Sequence, residues 1–226
     1  MNLSSNTISI LKNFANINQG ILFKTGKVLK TVSPHKNILA ECEIEETIPT
    51  EFGIYDLNNF LSVISLHKDA VNFQFDDKQL TIVGNKDRSK IKYRFCDPTM
   101  IVVPPDKQLT MPSAEIRFTL TTEDFDWIMR AASVLSSPQI AVESDGSKIN
   151  VVTLDLQNDS AHTDSLEICE NKEGTKYRMI FKTENLSKVL NGTYEVSISS
   201  KGISHFKNSQ MNLQYWISTE AGSKFE

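Results

Sequence analysis

Apolar residues fall along this chain in two periods. In SSNTISILKNFANIN (4–18), Ile8, Leu11 and Ala15 share one helical face, with Ser4 or Ser5 placed to cap it. FGIYDLNNFLSVISL (52–66) opens as a strand and continues as a helix. Asp56 sits at the joint, and Leu57, Phe60, Leu61 and Ile64 fall on one face. TTEDFDWIMRAASVL (121–135) predicts a third helix capped by Thr121 or Thr122. Its apolar face carries Phe125, Ile128, Met129, Ala132 and Leu135, and Glu123, Asp124 and Asp126 suit its N-terminal dipole. TENLSKVLNG (183–192) predicts a short fourth helix, with Leu186, Val189 and Leu190 apolar and Gly192 as a stop.

Much of the remainder alternates with period two. Val71, Phe73 and Phe75 share a face, a DDKQ turn follows, then Leu80 and Ile82, then Ile91, Tyr93 and Phe95. Later, Tyr194, Val196 and Ile198 precede an SSKG turn and Ile203, with Met211, Leu213, Tyr215 and Ile217 beyond. These are half-buried strands of antiparallel hairpins.

The two series superimpose in order. Ile8, Leu11 and Ala15 match Phe125, Ile128 and Ala132, and Phe60 and Ile64 match Leu186 and Leu190. Val71, Phe73, Phe75 and Leu80 match Tyr194, Val196, Ile198 and Ile203, and Ile91, Tyr93 and Phe95 match Leu213, Tyr215 and Ile217. The offset drifts by a few residues, as loop insertions produce. An internal duplication follows, with two helices per half packed on antiparallel sheet, an α+β fold. The halves are 1–100 and 115–226. Between them, 101–114 lies in a proline-punctuated connector with Pro98, Pro104, Pro105 and Pro112.

With 226 residues, 39% hydrophobic and 23% charged, the chain has the balance of a globular protein. No apolar run reaches the roughly 20 residues of a membrane span, no secretory signal is expected, and no membrane partner is implied. Cys42, Cys96 and Cys169 are far apart and read as reduced thiols. The net charge of −4 argues against a whole surface that grips nucleic acid, but leaves room for a basic face. His35, His67, His162 and His205 lack the spacing of metal ligands, and no CxxC, HExxH, GxSxG or GxxxxGK[ST] occurs. Asp76 and Asp77 fall in a hairpin turn. No enzyme activity, cofactor or metal is therefore expected.

The helices' polar faces are thin, mostly Ser, Asn and Thr, and dotted with cations. Lys12 opposes the apolar face of the first helix and Arg130 that of the third. Lys188 does so on the fourth, Lys182 precedes its cap, and Lys68 follows the second. Such faces suit a position beside a phosphate backbone without gripping it. A denser pattern is Lys86, Arg88, Lys90, Lys92 and Arg94. The last three form a basic ridge opposite Ile91, Tyr93 and Phe95, and AECEIEE supplies an acidic ridge at Glu41, Glu43 and Glu45. Cross-strand pairing, a plain solvated face and a subunit or partner contact are all open readings of the ridges.

The stretches ILKNFANINQGILFKTG, IYDLNNFLSVISL and CDPTMIVVPPDK resemble the DNA polymerase sliding clamps of T-even-type tailed phages. The resemblance runs the whole length and is strongest over the first hundred or so residues. It implies a DNA-clamp fold of two similar domains per chain. Three chains would close a six-domain ring on duplex DNA without reading sequence, the helices lining the hole and the sheets forming the outer layer. It implies a clamp loader with an ATPase, a phage DNA polymerase docking by a C-terminal peptide, support of late transcription by host RNA polymerase, and the cytoplasm of the infected cell as location. Lys12, Lys68, Arg130, Lys182 and Lys188 would then face DNA. Subunits would join edge to edge, Ile91, Tyr93 and Phe95 against Leu166 and Ile168. Client peptides would sit in an apolar groove near the connector, for which Val102, Val103, Leu109, Tyr215 and Trp216 are the candidates. The rival reading is a duplicated α+β assembly protein that never meets DNA.

Overall fold

The computed structural model describes residues 1–67, 71–84, 88–107 and 109–226. It divides into two compact units, Met1–Asp106 and Lys107–Glu226. The 101–114 connector of the sequence reading is thus shared between them.

Unit 1 runs α1 (Ser5–Ile17), β1 (Ile21–Phe23), β2 (Gly26–Val32), β3 (Ile38–Ile48), β4 (Phe52–Ile54), α2 (Leu57–Ser65), β5 (Asn72–Phe75), β6 (Gln79–Val83) and β7 (Lys90–Arg94), then a 3-10 turn at Pro98–Met100. Unit 2 runs β8 (Ile116–Leu120), α3 (Thr122–Val134), β9 (Gln139–Asp145), β10 (Lys148–Leu154), β11 (Ser165–Glu170), β12 (Lys176–Lys182), α4 (Thr183–Leu186), β13 (Tyr194–Ser199), β14 (Ile203–Asn208), β15 (Leu213–Ser218) and β16 (Lys224–Phe225).

The duplication is visible strand by strand. In unit 2, β11, β10, β9, β12 and β16 pair antiparallel in that order. In unit 1, β3 pairs β2 and β1 pairs β4, while Gly53 of β4 bridges to Cys96, the place β16 takes beside β12. The second sheet of unit 2 is the meander β13–β14–β15 with β8 on β13. Unit 1 repeats it as β5–β6–β7. There the part of β8 falls to the chain's first residues. The amide of Phe73 donates to the Met1 carbonyl at 2.8 Å, and the Met1 amino group donates to the Phe73 carbonyl at 3.2 Å.

Each helix is fixed by its cap and its apolar stripe. The Ser4, Asp56 and Thr121 side chains accept from the amides of Thr7, Asn59 and Asp124. α1 has a second anchor. Glu46 of β3 turns inward from the acidic ridge and accepts from the Thr7 hydroxyl at 2.6 Å and from the Ser4 amide. Burial raises the Glu46 carboxyl, but these hydrogen bonds outweigh it and leave the group below its ordinary value. A carboxylate there also faces the positive end of the helix dipole.

α4 is shorter than the TENLSKVLNG pattern predicts. Its cap position is Lys182, which offers no side-chain acceptor. After Ser187 bonds back to Thr183, the amides of Lys188 and Val189 bond three residues back rather than four, so the turn tightens and ends. The Leu190 carbonyl accepts from the Tyr194 hydroxyl at 2.6 Å, and its amide donates to the Tyr215 hydroxyl at 3.2 Å.

The cores are aromatic. In unit 1, Phe23 stacks on Phe52 at 4.5 Å, and Phe60 meets Phe73 at 6.0 Å and Tyr93 at 5.1 Å. In unit 2, Tyr194 sits among Phe125, Phe206 and Tyr215, at 6.2, 6.3 and 6.1 Å.

Glu115, just before β8, ties that strand to the β13–β14 turn. It accepts from the Ser200 amide at 3.1 Å and the Ser200 hydroxyl at 2.9 Å. Burial raises this carboxyl, but the hydrogen bonds prevail and hold it at about 2, below the ordinary 4.5. A depressed carboxylate stabilises the fold at pH values above its unfolded pKa, and the contribution is lost as pH falls from about 4.5 toward 2. Glu115→Gln should therefore unfold at lower denaturant than the parent at pH 7. That gap should close as the pH is taken toward 2, read as paired denaturation midpoints.

Candidate functional site

In unit 1 the exposed face of α1 consists of Ser5, Asn6, Ser9, Lys12 and Asn16. Lys12 is the one cation on it, and makes no ion pair within 4 Å among the described residues. α2 shows Asn58, Asn59, Ser62 and Ser65 to solvent. Lys68, the fifth expected DNA-facing residue, lies outside the described residues.

In unit 2 the exposed side of α3 holds Glu123, Trp127, Arg130, Ser133 and Val134. Arg130 is held by Asp126 one turn back, at 3.0 Å. Lys188 pairs with Glu184 at 3.3 Å, and Lys182 lies 3.9 Å from Glu220. All three are surface pairs of small energy, but they leave these cations partly neutralised. The faces are thus less electropositive than their residue types suggest.

Trp127 escaped the sequence reading. It is half exposed on α3, and its indole N–H donates to Asp164 at 3.0 Å. Asp164 is itself held by Thr153 of β10, whose hydroxyl accepts from its amide at 2.9 Å. The signal was present in the pattern, because position 127 falls off the stripe of Phe125, Ile128 and Ala132.

The expected joining residues sit on two sheet edges. β7 ends its sheet, beyond β6, and β11 ends its own, beyond β10. On β7, Ile91 and Tyr93 are half-buried and alternate with exposed Lys90, Lys92 and Arg94. On β11, Leu166 and Ile168 are half-buried and alternate with exposed Ser165, Glu167 and Cys169. Among the described residues no strand pairs with the outer side of either edge, and each carries a short apolar strip.

Two of the expected joining residues already have work within unit 1. The Tyr93 hydroxyl bonds the Asp56 carbonyl at 3.2 Å and Asn59 at 3.1 Å, pinning the start of α2. Phe95 lies just past β7 and stacks on Phe52 at 4.9 Å. Of the ridges, Glu41 pairs across the strands with Lys30 at 2.7 Å.

The connector's first residues are fastened to unit 1. Ile101 is buried against Gly20 and Gly53, where an added Cβ would lie 3.3 and 3.1 Å from its side chain. Asn18 donates to the Val102 carbonyl at 3.0 Å. Beyond it a cleft of about 210 Å³ opens, with apolar walls from Leu22, Val28, Val103 and Pro104. The Lys24–Asp106 ion pair lies at its rim. Val102 and Val103 are exposed, as a docking surface requires. Leu109 is half-buried in unit 2.

Tyr215 and Trp216 require a correction. Tyr215 has no exposed surface, and Trp216 is buried with its ring stacked on His205 at 4.8 Å. A peptide anchor must be reachable, so neither lines an open groove in this structure.

A family model described as DNA polymerase processivity factor matches residues 4–103. One described as gp45 sliding clamp, C terminal, matches residues 117–221. The sliding clamp of Vibrio phage KVP40 is 31% identical over 226 residues, covering 98% of this chain and all of its own. That of Escherichia phage RB69 is 31% identical over 230 residues, covering 99% and 98%. Among solved structures, PCNA from Thermococcus kodakaraensis superposes with a TM-score of 0.71 at 13% identity, covering 97% of this chain and 99% of that one. The beta chain of DNA polymerase III from Streptococcus pneumoniae gives 0.70 at 13%, covering 98% of this chain and 64% of its own. At such identities these two structures bear on the fold alone.

Proposed function

Because this chain belongs to the sliding-clamp family of DNA polymerase processivity factors, and is therefore not an enzyme, we propose that three copies close a six-domain ring around duplex DNA. Domains 1–100 and 115–226, joined by 101–114, serve as its repeating units. The ring tethers the phage DNA polymerase in the cytoplasm of the infected cell. An ATP-dependent clamp loader opens and places it, and the loaded ring also supports late transcription by host RNA polymerase.

The observation that carries this reading is that β7 in one unit and β11 in the other each end a sheet with a short apolar strip. Two unlike edges on one chain make a head-to-tail junction, and head-to-tail junctions close into a ring when the rotation permits. The helix faces support the DNA side of the proposal. Each phosphate neutralised adds to salt-dependent affinity. Lys12 and the partly neutralised Arg130, Lys182 and Lys188 give a weak, sequence-blind attraction, and encirclement supplies retention. No helix among the described residues is long and apolar enough to cross a membrane.

The deciding experiment is retention after loading. The protein should sediment as a trimer, remain on nicked circular DNA, and slide off the same DNA once it is linearised. Loss at the same rate from both forms would favour the assembly-protein reading. Ile168→Asp tests the junction better than a change at Tyr93, whose hydroxyl holds α2. It should give folded monomers, and an intact trimer would remove β11 from the junction.

The lining makes its own prediction. Lys12→Glu combined with Arg130→Glu should leave the fold and trimer intact, because both residues are exposed. It should lower loading on DNA and flatten its dependence on salt. Unchanged loading and an unchanged salt slope would place these residues away from DNA.

For the client site the reading rests on the cleft beside Val103. Val103→Asp should weaken binding of the polymerase C-terminal peptide by about 1–3 kcal/mol without disturbing the ring. Titration of a labelled peptide measures this directly, and parent-like affinity would move the groove elsewhere.

A further inference from the structure

The exposed side of β7 concentrates positive charge, and among the described residues no carboxylate pairs with it within 4 Å. Lys90, Lys92 and Arg94 all point away from the side of Ile91 and Tyr93. The residues opposite them on β6 are Val83, Thr81 and Gln79, none acidic. Like charges so close on one strand repel, so an isolated chain carries the ridge as a liability.

The complement is on β11. Glu167 is exposed between Leu166 and Ile168, with Glu170 at the strand's end. Its partner within the chain, Lys148 at 2.7 Å, is about half exposed, as is Glu167 itself.

We propose that when β7 of one copy joins β11 of the next, Lys92 seats opposite Glu167, and that the basic ridge selects β11 as partner and rejects a second β7. The inference rests on the ring reading above. The argument is one of strand parity. Lys92 is the single residue between Ile91 and Tyr93, and Glu167 is the single residue between Leu166 and Ile168. Any register that sets the two apolar residues of one edge against the two of the other therefore sets Lys92 against Glu167. This holds whether the strands run parallel or antiparallel.

A slip of one residue turns every side chain to the wrong face and brings Lys92 against Leu166 or Ile168. A slip of two keeps a cation opposite Glu167 but leaves an apolar residue uncovered. The apolar pairs thus choose among the even registers, and the charges forbid the odd ones. The same ridge makes a β7–β7 dimer unfavourable, because it would set cation against cation across the new ladder. The junction is left head-to-tail, the kind a ring needs.

A charge-reversal cycle tests this on the full chain, with the trimer's dissociation followed by sedimentation over a concentration series. At low salt, Lys92→Glu alone should raise the concentration of half-dissociation by about threefold to tenfold, the scale of an exposed pair turned from attractive to repulsive. In the Glu167→Lys background the same Lys92→Glu change should lower it instead. The Lys148 contact is altered alike in both variants that carry Glu167→Lys, so the comparison cancels it. The reversal of sign should fade at high salt. An equal effect of Lys92→Glu in both backgrounds, with a trimeric parent, would overturn this pairing and leave the ring standing. A parent that stays monomeric at every concentration would overturn the ring reading and this inference with it.

Discussion

Backbone groups along a sheet edge seek partners, and the arrangement of this protein turns on where its edges are left open. β7 and β11 each end a sheet with half-buried apolar side chains alternating with exposed ones, Lys90, Lys92 and Arg94 on β7 and Glu167 between Ser165 and Cys169 on β11. A short strand with a charged outer face is a common protection against indiscriminate pairing. Here the two edges carry opposite charge, so the feature that guards each against its own kind favours the other. The duplication makes this possible, since the halves contribute different strands of the repeated pattern to the open positions.

The electrostatics of the helix faces pull in the same direction. A net charge of −4, with serine and asparagine faces on α1 and α2 whose one cation is Lys12, gives no strong grip on a polyanion. Arg130 and Lys188 are further tempered by carboxylates one turn away. For an enzyme such faces would be uninformative. For a family whose members are processivity factors they fit a protein held by topology, where each added phosphate contact would cost mobility.

Much of this was readable along the chain. The four helices, three of their caps and the strand alternation of both meanders follow from periods of 3.6 and 2, which survive as local pattern whatever the tertiary context. The edge candidates Ile91, Tyr93, Leu166 and Ile168 came with the resemblance to a known family and lie on strands that end their sheets. The tertiary structure revised other points. Tyr215 and Trp216 looked available for a peptide because alternation says which face a side chain takes, not what covers that face. In the fold Tyr215 closes the turn at Leu190, and Trp216 is covered by His205. Glu46 lies outside the ridge of Glu41, Glu43 and Glu45, and only the fold set it against the start of α1.

The sequence by itself determined the repeat and the class of fold, because both are carried by the order and spacing of apolar residues, and three stretches that resemble known clamps pointed to the family. What only the tertiary structure decided is how distant segments meet. The first residues take the place of a strand beside β5. Ile101 fills the space two glycines leave and fastens the connector to unit 1. The Lys90, Lys92 and Arg94 ridge faces only uncharged residues on β6. Each depends on which segments pair and in what register, and local periodicity contains no term for the partner.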